Sequence, residues 1–344
     1  MEQILFFDSD KLLQDFVEAH PIPGAHPVFM DTSLNATDIK SLEPYRDIHV
    51  LSCFTHSETL PEDKLDLFPN LRLIATRSTG FNHINLEYCR KRGIAVANVP
   101  AYGATTVAEF AFALLLALAR KVIRAKNDMA HNRIEMKHYL GFDLFGKTIG
   151  IIGTGSIGRH MVRIAQGFGM NIIAYDPYPS DALKGIYVND ITTIFRESDI
   201  ISLHIPSTPE NHHLLDMNAF HQMKPGVIII NTARGDLIDT QALYMALKNG
   251  IVGGAGLDVL ENEDFLLHDE IMVDAAGHTN DFLLDSAMNL KLLQFRNVIA
   301  TPHIAFNSID AINRINEITL DNIRGFQNGS VPNNVIRESR HQQG

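Results

Sequence analysis

"KTIGIIGTGSIGRHMVRIAQGFGM", residues 147–170, passes from an apolar strand-like run through three glycines into an amphipathic helical pattern. Gly153, Gly155 and Gly158 have the spacing G-x-G-x-x-G. The first glycine permits a tight turn, the second lets the backbone approach a pyrophosphate, and the third allows a helix to pack closely on the strand. The helix N-terminus then offers amide donors to the phosphate. A glycine turn can also pack a helix and bind nothing, but here the preceding strand and following helix supply the context this motif requires. The next strand-like run, "NIIAYD", ends at Asp176, 18 residues beyond Gly158. A carboxylate there accepts hydrogen bonds from an adenosine ribose and repels a 2′-phosphate, so NAD is expected rather than NADP.

Outward from this loop, short β-branched runs alternate with helical patterns. "QILFFD", "PVFMD", "IHVLSCF", "LRLIAT" and "IAVANV" precede it; "DIISLHIP", "GVIIINTARG", "VGGAGLDV" and "NVIATPH" follow. Such alternation predicts parallel βαβ units covered by helices on both faces. Between the two series lies one long apolar pattern, 105–127, which predicts a single helix buried on more than one side, between domains or subunits. A closing helix, "SIDAINRINEITLDNIRGFQNG", ends at a glycine stop. The fold class is therefore α/β with two units, and spacing alone leaves open whether the last helix returns to the first unit.

Composition narrows the function. The 344 residues carry 45% apolar and 20% charged side chains, the balance of a soluble globular protein. Lys plus Arg number 29 against 40 Asp plus Glu, a net charge of −11 that repels polyanions. Nucleic-acid and acidic-membrane binding are disfavoured, and an anionic substrate needs locally placed cations. Two cysteines give neither a disulfide framework nor a metal pattern. No signal peptide is expected, and "FAFALLLALA" (110–119) is too short to span a bilayer. A cytoplasmic protein is expected.

Three strand ends in the later series carry chemistry. "NTARGD" puts Arg234 where ligands sit in open α/β sheets, and a guanidinium there can clamp a carboxylate through two parallel hydrogen bonds. It can equally be a surface arginine. "GLDVLENED" offers Asp258, Glu261, Glu263 and Asp264, any of which could orient a histidine. "TPHIA" supplies His303, whose ordinary pKa suits proton exchange with a hydroxyl or carbonyl, although most histidines in apolar runs are structural. His212 and His213 are adjacent, and His268 and His278 lie in a polar loop; with no H-E-x-x-H and no Cys/His cluster in the sequence, no metal site is expected.

"GTGSIG" with Asp176, then "HIPSTPE", "NTARGDLID", "GLDVLENE" and "TPHIA", resembles in content and order the D-isomer-specific 2-hydroxyacid dehydrogenases, from about residue 45 to about 330. The long stretch after Glu263, with Phe306 three residues past His303, is most similar to the D-lactate dehydrogenase branch. The resemblance implies a Rossmann NAD-binding domain inserted into a flavodoxin-like substrate domain, with boundaries at 1–100, 101–299 and 300–344, and a homodimer built around the helix at 105–127. It assigns Glu263 as the partner of the acid/base His303, and Arg234 as the group that holds the substrate carboxylate and polarises its carbonyl. NAD contacts are implied at Gly153, Thr154, Gly155, Ser156, Ile157, Gly158, Asp176, His204, Pro206, Thr232, Ala233 and Asp258. Substrate contacts are implied at Ser78, Thr79, Gly80, Tyr102, Phe54 and Phe306. Asn85 stands where the family often has aspartate. The expected reaction is NAD-dependent reduction of a small 2-oxo acid, best pyruvate to D-lactate. The alternatives are an NAD(H)-sensing corepressor-like protein on this fold and a hydroxypyruvate or phosphoglycerate-type dehydrogenase.

Overall fold

The computed structural model describes residues 2–54, 59–263 and 280–336. The chain forms two compact units, one made of residues 1–102 and 308–344 and the other of 103–307.

The first unit is built on a parallel sheet of β1 (Glu2–Phe6), β2 (Ala25–Phe29), β3 (Val50–Cys53), β4 (Leu73–Thr76) and β5 (Ala95–Ala97) in the order β2-β1-β3-β4-β5. This is the flavodoxin-like order, with its switch point between β1 and β3. Both faces of the sheet are covered, so β3 and β4 are buried throughout and read as unbroken apolar or small runs. The closing helix, Ile309–Gln327, starts at a Ser308 cap that accepts from the Ala311 amide and packs Leu320 and Ile323 against Ile4, Phe6 and Val50. The last helix does return to the first unit. Its buried Asn322 donates to the carbonyl of Asn98 (3.0 Å) and accepts from the Asn333 side-chain amide (2.8 Å), tying strand end, helix and tail together.

The second unit contains β6 (Thr148–Ile152), β7 (Asn171–Tyr175), β8 (Ile200–Leu203), β9 (Val227–Asn231), β10 (Val252–Leu257) and β11 (Val298–Ala300), all parallel, in the order β11-β10-β9-β8-β6-β7. A parallel bridge, Ala174 to Tyr187, lies outside β7 where the third strand of the Rossmann order runs. The order reverses between β6 and β8, which puts the glycine loop at the switch point.

Two expectations are corrected. The 105–127 pattern is two helices, Ala104–Ala119 and Val122–Ala130, separated by Lys121 in the left-handed region (φ 56°). The Ala119 carbonyl accepts from the Phe142 amide instead of extending the helix, a tertiary override that periodicity does not register. The second boundary falls at 307/308, not 299/300. β11 pairs with β10, and the His303 amide donates to the Asp258 carbonyl, so residues 300–307 belong to the nucleotide unit.

Replacing Asn322 with leucine removes the partner of the buried Asn98 carbonyl and of the part-buried Asn333 amide, a loss of about 1–3 kcal/mol. Thermal unfolding should shift down, with faster hydrogen exchange in 331–336. Unchanged stability and exchange would refute this role for Asn322.

Candidate active site

The glycine loop leaves β6 with Gly153 at φ 93°, where a Cβ would lie 2.6 Å from the His204 carbonyl oxygen. Glycine is required there by both conformation and space. At Gly158, in the first turn of the helix Ser156–Gly167, a Cβ would meet the Gly153 carbonyl at 2.0 Å, so helix and turn touch directly. Beside them, Asp176 at the end of β7 accepts from the Thr154 amide (2.7 Å) and hydroxyl (2.8 Å) through Oδ2, and from the Tyr178 amide (2.8 Å) through Oδ1. Burial opposes its ionisation, but these donors outweigh it and hold the carboxyl below its usual range. A carboxylate oxygen has two acceptor sites, so Oδ1 keeps capacity for a ribose hydroxyl.

Two buried polar atoms border the same strand ends without a partner among the described residues: Nδ1 of His204 and Oγ1 of Thr232. The other nitrogen of His204, Nε2, lies 2.8 Å from the Ser202 hydroxyl, and burial pushes its pKa down to about 3, so the imidazole is neutral. Positive-φ glycine, a carboxylate with spare capacity and orphaned buried groups are the features a dinucleotide site requires.

Further along the sheet, Asn231 closes the end of β9. Its side chain donates to the Arg234 carbonyl (2.8 Å) and accepts from the Ala233 amide (3.0 Å), folding "NTAR" into a turn that leaves Arg234 exposed. Arg234 donates to the Ala233 carbonyl at 2.6 Å. Gly235 follows, and a Cβ there would come within 2.1 Å of the Leu260 carbonyl carbon and 2.4 Å of the Glu261 nitrogen. The arginine turn and the turn after β10 therefore meet backbone to backbone.

His303 sits in the turn after β11, in the left-handed region (φ 52°), which few non-glycine residues adopt. Asp258, 1% exposed at the end of β10, holds that turn. Its Oδ1 accepts from the Thr301 hydroxyl (2.6 Å) and Ile304 amide (3.0 Å), and its Oδ2 from the Ala305 amide (2.7 Å). Burial raises its pKa against those donors. The structure thus gives Asp258, expected at the cofactor, the task of shaping the histidine turn. Nδ1 of His303 lies 2.7 Å from Oε1 of Glu263, whose Oε2 accepts from the Leu260 amide (3.1 Å). The bond to Glu263 raises the His303 pKa, burial opposes it, and the charges of Glu263 and Asp258 add to it while Arg234 subtracts. Of the four acidic candidates, Glu263 meets the histidine, Asp258 supports its turn, Glu261 pairs with His213, and Asp264 lies outside the described residues, as do His268 and His278.

In the first unit, the loop 78–80 is pinned by its carbonyls. The Ser78 carbonyl accepts from the Val99 amide (2.9 Å), that of Thr79 from the Asn98 side chain (2.8 Å), and that of Gly80 from the Ser78 hydroxyl (2.6 Å). Behind it the buried Arg77 donates to the Phe7 and Asp8 carbonyls and the Ser52 hydroxyl, joining the ends of β1, β3 and β4. Its guanidinium lies 5.8 Å from the ring centroid of Phe54, and the Phe54 amide donates to Asp8. Tyr102 accepts from Arg314 through its carbonyl, and Phe306 is half-buried in the other unit. Asn85 caps the helix Leu86–Arg92 through its Oδ1, a task aspartate performs equally. Neither Arg77 nor Asn231 was singled out in the sequence; the strand-end positions of both, in "ATRSTG" and "INTAR", are the signal.

Residues 112–305 match the family described as D-isomer specific 2-hydroxyacid dehydrogenase, NAD binding domain. The chain is 42% identical over 269 residues to a D-lactate dehydrogenase of Escherichia coli strain K12, covering 77% of this chain and 79% of that protein. It is 37% identical over 282 residues to a hydroxypyruvate reductase of Thermotoga maritima, covering 82% and 85%. The crystal structure of D-lactate dehydrogenase from Aquifex aeolicus, complexed with NAD and lactic acid, superposes with a TM-score of 0.80 at 33% identity, covering 98% of this chain and 100% of that one. The glycine loop, its acidic neighbour and these similarities identify the chain as a member of the D-isomer-specific 2-hydroxyacid dehydrogenases, NAD-dependent oxidoreductases.

Proposed function

We propose that the enzyme reduces a small 2-oxo acid, pyruvate to D-lactate being the best-supported reaction, with His303 as acid/base, Glu263 as its partner and Arg234 as the carboxylate clamp. The observation that carries this reading is the His303–Glu263 hydrogen bond of 2.7 Å on strand-end turns of the NAD unit, next to the turn that exposes Arg234. Bound NADH supplies the hydride for the carbonyl carbon. The chain's part is to orient the acid and deliver a proton. Protonated His303 donates to the carbonyl oxygen in reduction; neutral His303 takes the hydroxyl proton in oxidation. Arg234 offers two parallel donors to a carboxylate and stabilises the oxygen on which charge builds. Gly153 to Gly158, Asp176, His204, Pro206, Thr232 and Ala233 are proposed to hold the dinucleotide. The amides of Ser78, Thr79 and Gly80, with Tyr102, Phe54 and Phe306, are proposed to receive the acid. Hydroxypyruvate is the second substrate reading, favoured by the reductase of that name at 37% identity.

A homodimer is proposed as well. Val122, Met129, Ile134, Met136, Leu140 and Phe145 are all more than half exposed within one segment of 24 residues, and so concentrated an apolar surface is suited to a second copy. Sedimentation at micromolar concentration should give twice the chain mass; a monomer would sink the proposal.

A panel of pyruvate, hydroxypyruvate, glyoxylate and branched 2-oxo acids, with NADH and NADPH, should give the highest kcat/KM for pyruvate with NADH. Preference for another acid would overturn the substrate choice. His303→Ala should lower turnover by ~10²–10⁴ while NADH still binds. Because the folded pKa of His303 is raised, reduction should fall as pH rises through that value, and oxidation should rise. Glu263→Gln removes the largest cause of the shift and should move both profiles to lower pH. Profiles that stay put would remove Glu263 from its role.

A further inference from the structure

Away from the proton-transfer pair, the segment after β8 presents two adjacent histidines to one carboxylate. His213 has φ 53°, and the rings of His212 and His213 stack with centroids 3.8 Å apart. Nε2 of His213 lies 2.7 Å from Oε1 of Glu261, and Nε2 of His212 lies 3.7 Å from the same oxygen. All three ligand atoms fall within 4.8 Å of one another. Glu261 is the least exposed member, its side chain 10% exposed, and His212 the open one at 51%.

We propose that His212, His213 and Glu261 form a site for Zn²⁺. Ligand atoms that share a zinc at about 2.0–2.2 Å lie roughly 3.2–3.5 Å apart in tetrahedral geometry. The observed 2.7 and 3.7 Å straddle that spacing, and on binding the stacked rings have to rotate out of parallel so that both Nε2 lone pairs converge on the ion. Two imidazoles and one carboxylate suit a borderline-soft cation. Ca²⁺ and Mg²⁺ want an oxygen shell that this set does not provide. The outer contacts are also built. The free oxygen of Glu261 accepts from the Thr240 hydroxyl (3.2 Å), and its backbone carbonyl accepts from the Asn289 side chain (2.6 Å). A ligating carboxylate held in this way keeps its orientation. The exposed flank of His212 gives the ion an entry path and leaves the fourth position to water.

Binding joins segments 48 residues apart in sequence and fastens the turn that, two residues later, carries Glu263. The site makes no use of the dehydrogenase reading, because binding is measured without substrate. The full-length chain, stripped with a chelator, is titrated calorimetrically with ZnCl₂, and with CoCl₂ as an optical probe of tetrahedral geometry. The expected result is one equivalent per chain, a Zn²⁺-dependent rise in Tm, and Co²⁺ bands of tetrahedral type. His212→Ala, at an exposed position, should keep the metal-free Tm and turnover but weaken Zn²⁺ binding at least ~10-fold, and Thr240→Val should weaken it about 10-fold. Equal Zn²⁺ affinity in the parent chain and His212→Ala, or octahedral Co²⁺ bands, would overturn the proposal.

Discussion

The carboxylate of Asp258 is the contact on which the His303 turn is built. It is buried at the end of β10 and spends both oxygens on the turn after β11, taking one hydroxyl and two amides. Hydrogen bonds to a charged group contribute about 1.5–3 kcal/mol each, enough together to offset the cost of a left-handed histidine and of dehydrating the acid. They act with backbone bonds from the Thr301 amide to the Leu257 carbonyl and from the His303 amide to the Asp258 carbonyl, both 2.9 Å, to shape the turn that brings the His303 ring onto Glu263. The aspartate and the histidine are thus parts of one arrangement, in which a sheet-end anion shapes the backbone and a second carboxylate, Glu263, holds the ring at 2.7 Å.

Much of the architecture can be read in the sequence, because parallel strands buried on both faces have to be apolar throughout. Among the described residues, the inner strands coincide with runs such as "TIGII" and "VIIIN", while β2, β7 and β11 at the sheet edges are only partly buried; the glycine spacing marks the switch point of the second sheet. What periodicity misses are events decided by distant residues. The break at Lys121 depends on Phe142 claiming the Ala119 carbonyl, and the boundary at 307/308 depends on β11 pairing with β10. The direct approach of the Leu260 backbone to Gly235 is likewise invisible, since the two are 25 positions apart.

For the candidate site, residue type and strand-end placement single out Arg234 and His303 as candidates, while choosing among the four acidic side chains of 258–264 needs either the family resemblance or the fold. Asp258 and Glu261 have the same charge as Glu263 and lie within five positions of it, yet one faces the histidine backbone and the other a different histidine. Spacing along a strand-to-loop transition cannot separate them, because each new residue after the strand end points in a direction fixed by the turn. His212, His213 and Glu261 escape a motif search for the same reason: their proximity exists only after β8 and β10 have been laid into one sheet.

The absent side chain at Gly235 has a wider implication. With Leu260 and Glu261 backbone against it, no methyl group fits without a backbone shift, so the turn carrying Arg234 and the turn carrying Glu263 are interlocked like adjoining tiles. Neither can be reshaped alone. A change in either turn therefore has to be matched in the other, so the segments that follow β9 and β10 vary as a pair.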